Sequence, residues 1–302
     1  REIAIGQGLP VQEPWDCALD TMQALPQAKL EVSIADDAQD ACSALHVLHV
    51  NQINLSQTTP DWMAVRLRES GFGLHNIVVD ILHYVMLETG QPFHAYDAAH
   101  IVGGLHVGFA QQGTVLASLL GDDLILDAQT LVVADTKTPH CVAGYMGNKL
   151  SAVSETTTAI YLEAACFSAP QSAYHCRKFV HHTQSGSRFE RGIDFGYTQK
   201  ALARAMDLLQ IYAGAQPVGY SSVASAMIKP ATVIKMRATY PEKILGYAID
   251  GRDLRAVLLA VGCQLTDEEE MLVCSVPSWR GDMVLPQHLV SEYLRFRGVK
   301  EV

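Results

Sequence analysis

Residues 75–97 read HNIVVDILHYVMLETGQPFHAYD, and the first half of this stretch decides what kind of fold must surround it. From His75 to Glu88 the run is helix-like but apolar almost all round, so it is not a surface helix and needs cover from other elements. Asn76, Asp80 and His83 fall at i, i+4 and i+7, one polar stripe that predicts a pocket or a buried polar network along that helix. Gly90-Gln91-Pro92 then reads as a turn, and His94 follows in a predicted loop between Phe93 and Tyr96. A loop histidine held between aromatic rings is more often a packing residue than a chemical one; the pattern alone leaves both readings open.

Working outward, LEVSIAD (30–36) and ALHVLHVNQI (44–53) have strand-like alternation. Thr59-Pro60-Asp61 offers an N-cap, a first-turn proline and an acidic residue for a helix ending before Gly71. Strands are predicted at LHVGFA (105–110), TLVVAD (130–135) and AIYLEAACF (159–167), with a turn at Gly121-Asp122-Asp123. Ser168 is placed to cap a helix running to about Val180, HHTQSGSRFERG (181–192) reads as a loop, and Asp194 opens a long amphipathic helix that Gly214 closes. The fold class expected is α+β: a mixed β-sheet domain with packed helices over residues 30–214, followed by a small α+β domain over residues 231–302. Between them GAQPVGYSSVASAMIKP (214–230), rich in small residues and proline, predicts a linker over 215–230. The small domain is expected to hold a strand, the helix RDLRAVLLAVG, the strand MLVCSVP and the helix QHLVSEYLRFRG.

Composition narrows the function. With 302 residues, 49% of them hydrophobic, the chain can bury a full core. A formal charge of −10 argues against a general nucleic-acid coat, so any nucleic acid must be met locally. Seven scattered cysteines without a C-x-x-C pair predict reduced thiols and a cytoplasmic protein. No apolar run approaches the roughly twenty residues that cross a bilayer, and no membrane is expected as a partner.

Three features are not what a bland fold would ask for. Glu163 lies inside the apolar strand AIYLEAACF, where a carboxylate must be paired, hydrogen-bonded or at an edge; spacing does not say which face it takes. The segment HCRKFVHHTQSGSRFERG (175–192) sets Arg177, Lys178, Arg188 and Arg191 against Glu190, with Gly and Ser that let backbone amides approach a ligand, making it either a phosphate-facing surface or a solvated basic face. AGYMGN (143–148) offers close main-chain approach.

The ordered series NIVVDILHYVMLETGQPFHAYD, LVVADTKTPHCVAGYMGN, AIYLEAACFSAPQSAYHCRKF and HTQSGSRFERGID resembles the editing domain of the bacterial phenylalanyl-tRNA synthetase beta chain. VPSWRGDMVLPQHLVSEYLRFRGV is similar to the end of the domain that follows it, and REIAIGQGLP resembles the last helix of the preceding domain, so residues 1–29 are expected to be a remnant of it. The resemblance implies a pocket that hydrolyses wrongly made tyrosyl-tRNA(Phe), with His94 and Thr183 as candidate catalytic residues. Glu163 would meet the tyrosine hydroxyl, with Gly147, Ser185 and His83 also toward the substrate, and Arg177, Lys178, Arg188 and Arg191 toward tRNA. It also implies an alpha subunit as partner, in a heterotetramer of two alpha and two beta chains, with ATP and magnesium used by the whole ligase and no cofactor for editing. The chain departs from the family at Leu82-His83, where Thr-Asn is usual, and at Asn148, where a second glycine is usual. Of four carboxylates that hold magnesium in the family, Asp282 and Glu292 remain while His288 and Ser291 replace the others, so a set of Asp282, Glu292 and His288 is expected to bind weakly. A noncatalytic scaffold, or divergent paralogue that keeps the fold without deacylation, is the alternative.

Overall fold

The computed structural model describes residues 2–9, 16–226 and 232–299. The chain divides into two compact units, Trp15–Ile228 and Arg1–Pro14 together with Lys229–Val302. In chain order, α1 (Glu2–Gly6) precedes α2 (Asp16–Gln23), β1 (Glu31–Ile34), β2 (Cys42–Asn51), α3 (Asp61–Glu69), α4 (Ile77–Thr89), β3 (His94–Asp97) and β4 (Gly104–Phe109). A hairpin of β5 (Val115–Ala117) and β6 (Asp123–Ile125) leads to β7 (Leu131–Ala134), β8 (Pro139–Val142), β9 (Met146–Gly147) and β10 (Ile160–Phe167). The larger unit ends with α5 (Ala169–Lys178), α6 (Gln184–Phe189), α7 (Thr198–Ala213) and β11 (Gln216–Ala224). The smaller unit holds β12 (Val233–Arg237), α8 (Tyr240–Leu245), α9 (Gly251–Ala260), β13 (Gln264–Glu268), β14 (Met271–Ser275) and α10 (Pro286–Arg297).

The larger unit is an α+β stack of three layers. An antiparallel sheet ordered β11-β2-β10-β3 lies in the middle, and a mixed sheet ordered β1-β4-β7-β8-β9 covers one of its faces. Leu48 and Val50 of β2, with Ile160, Leu162 and Ala164 of β10, pack against α2, α3, α4 and α7. Leu45 and Val47 of β2, with Ala165 and Phe167 of β10, pack against Leu105, Val107, Leu131 and Val133 of the other sheet. Because strand side chains alternate faces, β2 and β10 must be apolar on both, which is why their sequences read as nearly continuous hydrophobic runs. Among the described residues no helix is long and apolar enough to cross a membrane.

Of the polar stripe of α4, Asn76 and Asp80 are hydrogen-bonded at the edge of a cleft, while His83 Nδ1 is shielded and has no hydrogen-bond partner among the described residues. Asn76 caps the helix by accepting from the Val79 amide at 3.0 Å. Asp80, 1% exposed, accepts from the Thr59 hydroxyl at 2.5 Å and the His75 amide at 2.8 Å. Thr59 is therefore not the expected cap of α3, which starts behind Pro60 without a side-chain cap; its hydroxyl is spent on Asp80. Asp194 likewise caps a short 3-10 turn over 195–197, and α7 begins at Thr198.

Three further expectations give way. Residues 216–224, predicted as linker, form β11, paired along β2 from Gln216↔Asn51 to Ala224↔Ala44. The small residues that suggested a linker serve close packing: a Cβ on Gly219 would lie 2.7 Å from the Ala28 Cα. Residues 184–189, predicted as loop, form α6, because Thr183 accepts from the Gly186 amide at 2.9 Å and so starts a helix through a Gly/Ser-rich segment. His94 is on a strand, not in a loop. Residues 1–29 are divided between the units, Ile5 of α1 against the core of the smaller and Met22 of α2 in that of the larger.

In the smaller unit the sheet β12-β14-β13 carries Ile234, Met236, Leu272 and Cys274 against Leu254 and Leu258 of α9 and Leu289 and Tyr293 of α10. Arg280 reaches Asp282 through Nε and Nη2, at 2.8 and 2.7 Å, and donates from Nη2 to Glu292 at 2.6 Å. Arg295 also donates to Glu292. His288 turns Nδ1 to the Val284 amide at 3.0 Å, and the Ser291 hydroxyl donates to the Gln287 carbonyl at 3.1 Å. Asp282, Glu292 and His288 therefore do not fit a magnesium site: a guanidinium occupies the space between the carboxylates, and the imidazole serves the start of α10. Among the described residues no group of three or more His, Cys, Asp or Glu side chains is arranged to hold a metal.

These networks generate three predictions. Asp80→Ala leaves two donors without an acceptor in the core and is expected to lower stability by about 2 kcal/mol in urea unfolding; a loss within experimental error would show that water replaces the carboxylate. For the smaller unit, the Arg280 hydrogen bonds hold Asp282 below its usual pKa, and at Glu292 burial pushes upward but the two arginines outweigh it. Depressed carboxylates stabilise the fold above their unfolded values, near 4, and lose that contribution as pH falls through the folded values. Arg280→Ala should thus cost about 2 kcal/mol at pH 7 by leaving the buried Glu292 with Arg295 as its remaining partner, with the gap from the unmutated chain narrowing toward pH 3. Magnesium should leave Tm unchanged; a magnesium-dependent rise abolished by Asp282→Ala contradicts this account.

Candidate functional site

Strand alternation puts Ile160, Leu162 and Ala164 of β10 toward the helices, so Glu163 faces the space between the sheets with Ala165 and Phe167. β3 runs antiparallel beside it in the register Tyr161↔Tyr96, Leu162↔Ala95, Glu163↔His94. Directly paired residues share a face, so the carboxyl of Glu163 and the ring of His94 stand side by side. Local sequence fixes β3 in this position. Gly90, at φ 81°, ends α4 in the left-handed region, and the Gln91 side chain then bridges to the carbonyls of Pro92 at 2.8 Å and Ala165 at 3.0 Å.

The second sheet closes the site from above. A Cβ on Gly147 of β9 would come within 2.3 Å of His94 Cε1 and 2.9 Å of its Nε2, so this position has to be glycine for the imidazole to lie against the strand. His94, Gly147, Glu163 and Ser185 line one cavity, walled by Phe93, Tyr145, Phe167 and Phe189, with a volume of about 40 Å³. That is room for a few water molecules, and an aromatic side chain enters only if these walls withdraw. Phe167 and Phe189 pack with their rings tilted at 58° and their centroids 5.2 Å apart across one side of it.

The electrostatics are unusual for so small a space. Glu163 is 4% exposed, and burial raises its pKa to about 7 although a hydrogen bond from the Tyr96 hydroxyl opposes the rise. Burial, reinforced by His140, lowers His94 to about 4, so its ring is neutral at physiological pH. Its Nε2 is shielded and has no hydrogen-bond partner among the described residues. The ring packs edge-on against Tyr96 at 4.4 Å. A carboxyl that titrates near neutrality and a neutral imidazole with a free nitrogen share one apolar cavity, an arrangement suited to accepting a ligand's hydroxyl and orienting a water molecule.

Other residues singled out in the sequence lie around this cavity or away from it. Ser185, in the first turn of α6, lines it; Thr183 caps that helix and is not in the lining. His83 packs on Phe72 and His75, at centroid distances of 4.9 and 5.9 Å, outside the lining, and burial lowers its pKa to about 4. The four basic residues sit on α5, α6 and the turn after α6. Lys178 is held by Asp127 at 2.6 Å, Arg188 by the Gln184 side chain at 2.7 Å and Arg191 by the Ser187 carbonyl, while Arg177 is exposed. A larger cleft of about 790 Å³ opens beside Thr59, Arg68, His75 and Asp80, and the buried carboxylate there is already hydrogen-bonded to the Thr59 hydroxyl and the His75 amide. Tyr96 is the site residue that the sequence reading passed over; with His94 taken as a loop residue, nothing indicated that the two share one face.

Residues 41–214 match the family model described as the B3/4 domain, and residues 234–299 match the tRNA synthetase B5 domain. The phenylalanine-tRNA ligase beta subunit of Sodalis glossinidius is 36% identical over 300 residues, covering 99% of this chain and 37% of that protein. That of Psychrobacter arcticus is 33% identical over 303 residues, 100% of this chain and 38% of the relative, and that of Thiobacillus denitrificans 35% over 307 residues with the same coverage. The chain thus spans little more than a third of the length of these relatives. Among solved structures, an N-terminal fragment of the phenylalanyl-tRNA synthetase beta-subunit from Pyrococcus horikoshii aligns with 99% of this chain and 81% of that one, at a TM-score of 0.44 and 11% identity, too loose a likeness to carry weight. With both domain matches in their order along the chain and three relatives aligned over nearly its whole length, the chain belongs to the family of phenylalanine-tRNA ligase beta subunits, of which it carries the B3/4 and B5 domains.

Proposed function

We propose that the larger unit is a hydrolytic editing site for tyrosyl-tRNA(Phe), and that the chain is the central part of a beta subunit working in the cytoplasm with an alpha subunit, as two alpha and two beta chains. Synthesis, with its ATP and magnesium, belongs on this reading to the alpha subunit, and the hydrolysis uses neither. The observation that carries the reading is the in-register pair of Glu163 and His94 within one apolar cavity. Tyrosine exceeds phenylalanine by one hydroxyl, which an apolar synthetic pocket rejects only modestly, so a second site that recognises the hydroxyl is useful. Glu163 supplies the acceptor. The bond broken is the ester between the amino acid and the terminal ribose; water adds to the carbonyl carbon, and the ribose oxygen leaves with a proton. His94, neutral and with Nε2 free, orients that water or the terminal adenosine, and the glycine at 147 leaves the space in which the imidazole lies, where the sequence predicts close main-chain approach to the ester. Thr183 holds the start of α6, Ser185 of its first turn lines the cavity, and Arg177, Arg188 and Arg191 offer positive charge to the phosphates, with Lys178 already paired to Asp127.

The test follows from the Glu163 pKa. Its ionised form, the stronger acceptor, is populated above about pH 7. The preference for tyrosyl- over phenylalanyl-tRNA is therefore expected to rise between pH 6 and 8 by roughly five- to ten-fold in kcat/KM, the part of a charged hydrogen bond's roughly ten- to hundred-fold effect that a group titrating near 7 delivers over that window. Glu163→Gln should remove both that preference and its pH dependence while cleaving phenylalanyl-tRNA no more slowly. Equal slowing of both esters would make Glu163 structural or part of the hydrolytic machinery. Hydrolysis of neither ester by the unmutated chain would favour the noncatalytic scaffold.

A further inference from the structure

Glu163 is the residue the cavity sees, but a second residue holds it. Tyr96 lies two positions after His94 on β3, so its side chain takes the same inter-sheet face, and it is completely buried. Its hydroxyl donates to Oε2 of Glu163, and no other described hydrogen bond reaches that carboxyl. Glu163 belongs to the cavity wall and Tyr96 does not. The ring is instead part of the core between the sheets, with Leu45, Val47, Leu105 and Leu131.

A carboxylate has two oxygens and about four acceptor directions. A phenol fixed to one oxygen from within the core stops the group from rotating and leaves the other oxygen for a donor arriving from the cavity. We propose that Tyr96 is a positioning residue for substrate choice: by holding Oε2 of Glu163 it presents Oε1 as a single ordered acceptor, and so sets how strongly the pocket prefers a phenol-bearing ester to a phenyl-bearing one. This rests on reading the cavity as an aminoacyl-ester site. The order matters because a tyrosyl hydroxyl then meets an acceptor already desolvated and aimed, whereas a phenylalanyl ring leaves that acceptor without a donor.

Tyr96 and His94 from β3 lie against the carboxyl, and its charge is felt by Cys141 of β8 and, farther along the sheet, by Cys42 of β2. Burial and then the Glu163 charge push both thiols well above their ordinary values, the same two causes raise Tyr96, and His94 is neutral. Glu163 is the member of this set that titrates near neutrality, and the Tyr96 hydrogen bond favours its ionised form. Loss of that bond shifts the titration upward, an effect that a purely packing residue would not have.

The experiment uses adenosine carrying tyrosine or phenylalanine through a 3′-amide, which binds without being cleaved. The ratio of the two Kd values is measured from pH 6 to 9 on the whole chain and on Tyr96→Phe, which keeps the ring and removes the hydroxyl; hydrolysis of the two esters is followed in parallel. The expected result is that the midpoint of the preference moves up by about a unit, so that discrimination at pH 7 falls roughly three- to five-fold and recovers in part toward pH 9. In a Glu163→Gln background Tyr96→Phe should change nothing further. A ratio unchanged at every pH, or lowered equally at every pH with no shift of midpoint, overturns the proposal. If the chain cleaves neither ester yet the amide ratio shifts as expected, the deacylase reading fails and the positioning role stands.

Discussion

A carboxylate between two sheets is the constraint on which the site depends. Glu163 occupies a position where alternation along β10 demands an apolar residue, since Ala165 and Phe167 on the same face pack into the core. Leaving an ionised group there without partners would cost several kcal/mol. The fold answers with one hydrogen bond, from a buried tyrosine, and with a titration near neutrality instead of full ionisation. Incomplete satisfaction is the feature that makes the group useful, because a fully paired carboxylate would have nothing to offer a ligand.

Everything around Glu163 serves to place other groups against it. The three-layer stack makes β10 an interior strand; the left-handed Gly90 and the Gln91 bridge dock β3 beside it; the register then sets His94 directly opposite. The absence of a side chain at Gly147 lets β9 close over the imidazole. Local backbone geometry and the chemistry of the cavity are thus one problem. The smaller unit solves a related one differently: its buried carboxylate, Glu292, is neutralised by Arg280 and Arg295 and so is left no open role.

Much of this was legible in the sequence, in proportion to how local each signal is. The apolar helix α4, the strands β2, β7 and β10, the helix α7 and its closing Gly214 follow from periodicity and end signals. β11 did not, because its Gly, Ser and Pro residues serve a close approach to residues 26–28 that only the folded chain reveals. α6 was hidden by helix-poor Gly and Ser, and α8 and β13 were not read at all; they are short and lean on tertiary packing. Glu163 was conspicuous as a lone carboxylate in an apolar run, but its face was not, and taking His94 for a loop residue concealed Tyr96. The acidic residues near the end of the chain matched a metal-binding pattern by position, while the reach of Arg280 into their midst was beyond what spacing conveys.

The central claim, that the Glu163 carboxyl meets the hydroxyl of an aromatic ester bound in the cavity it shares with His94, is open to direct inspection. A crystal structure of the chain with tyrosyl-adenosine linked through a 3′-amide measures it. The account predicts the phenol oxygen within hydrogen-bond distance of Glu163 Oε1, the amide carbonyl beside His94 and the backbone of Gly147, and the aromatic wall of Phe167 and Phe189 drawn back to admit the ring. A phenol pointing away from Glu163, or a ligand seated in the larger cleft beside Asp80 with the small cavity still closed, would contradict it.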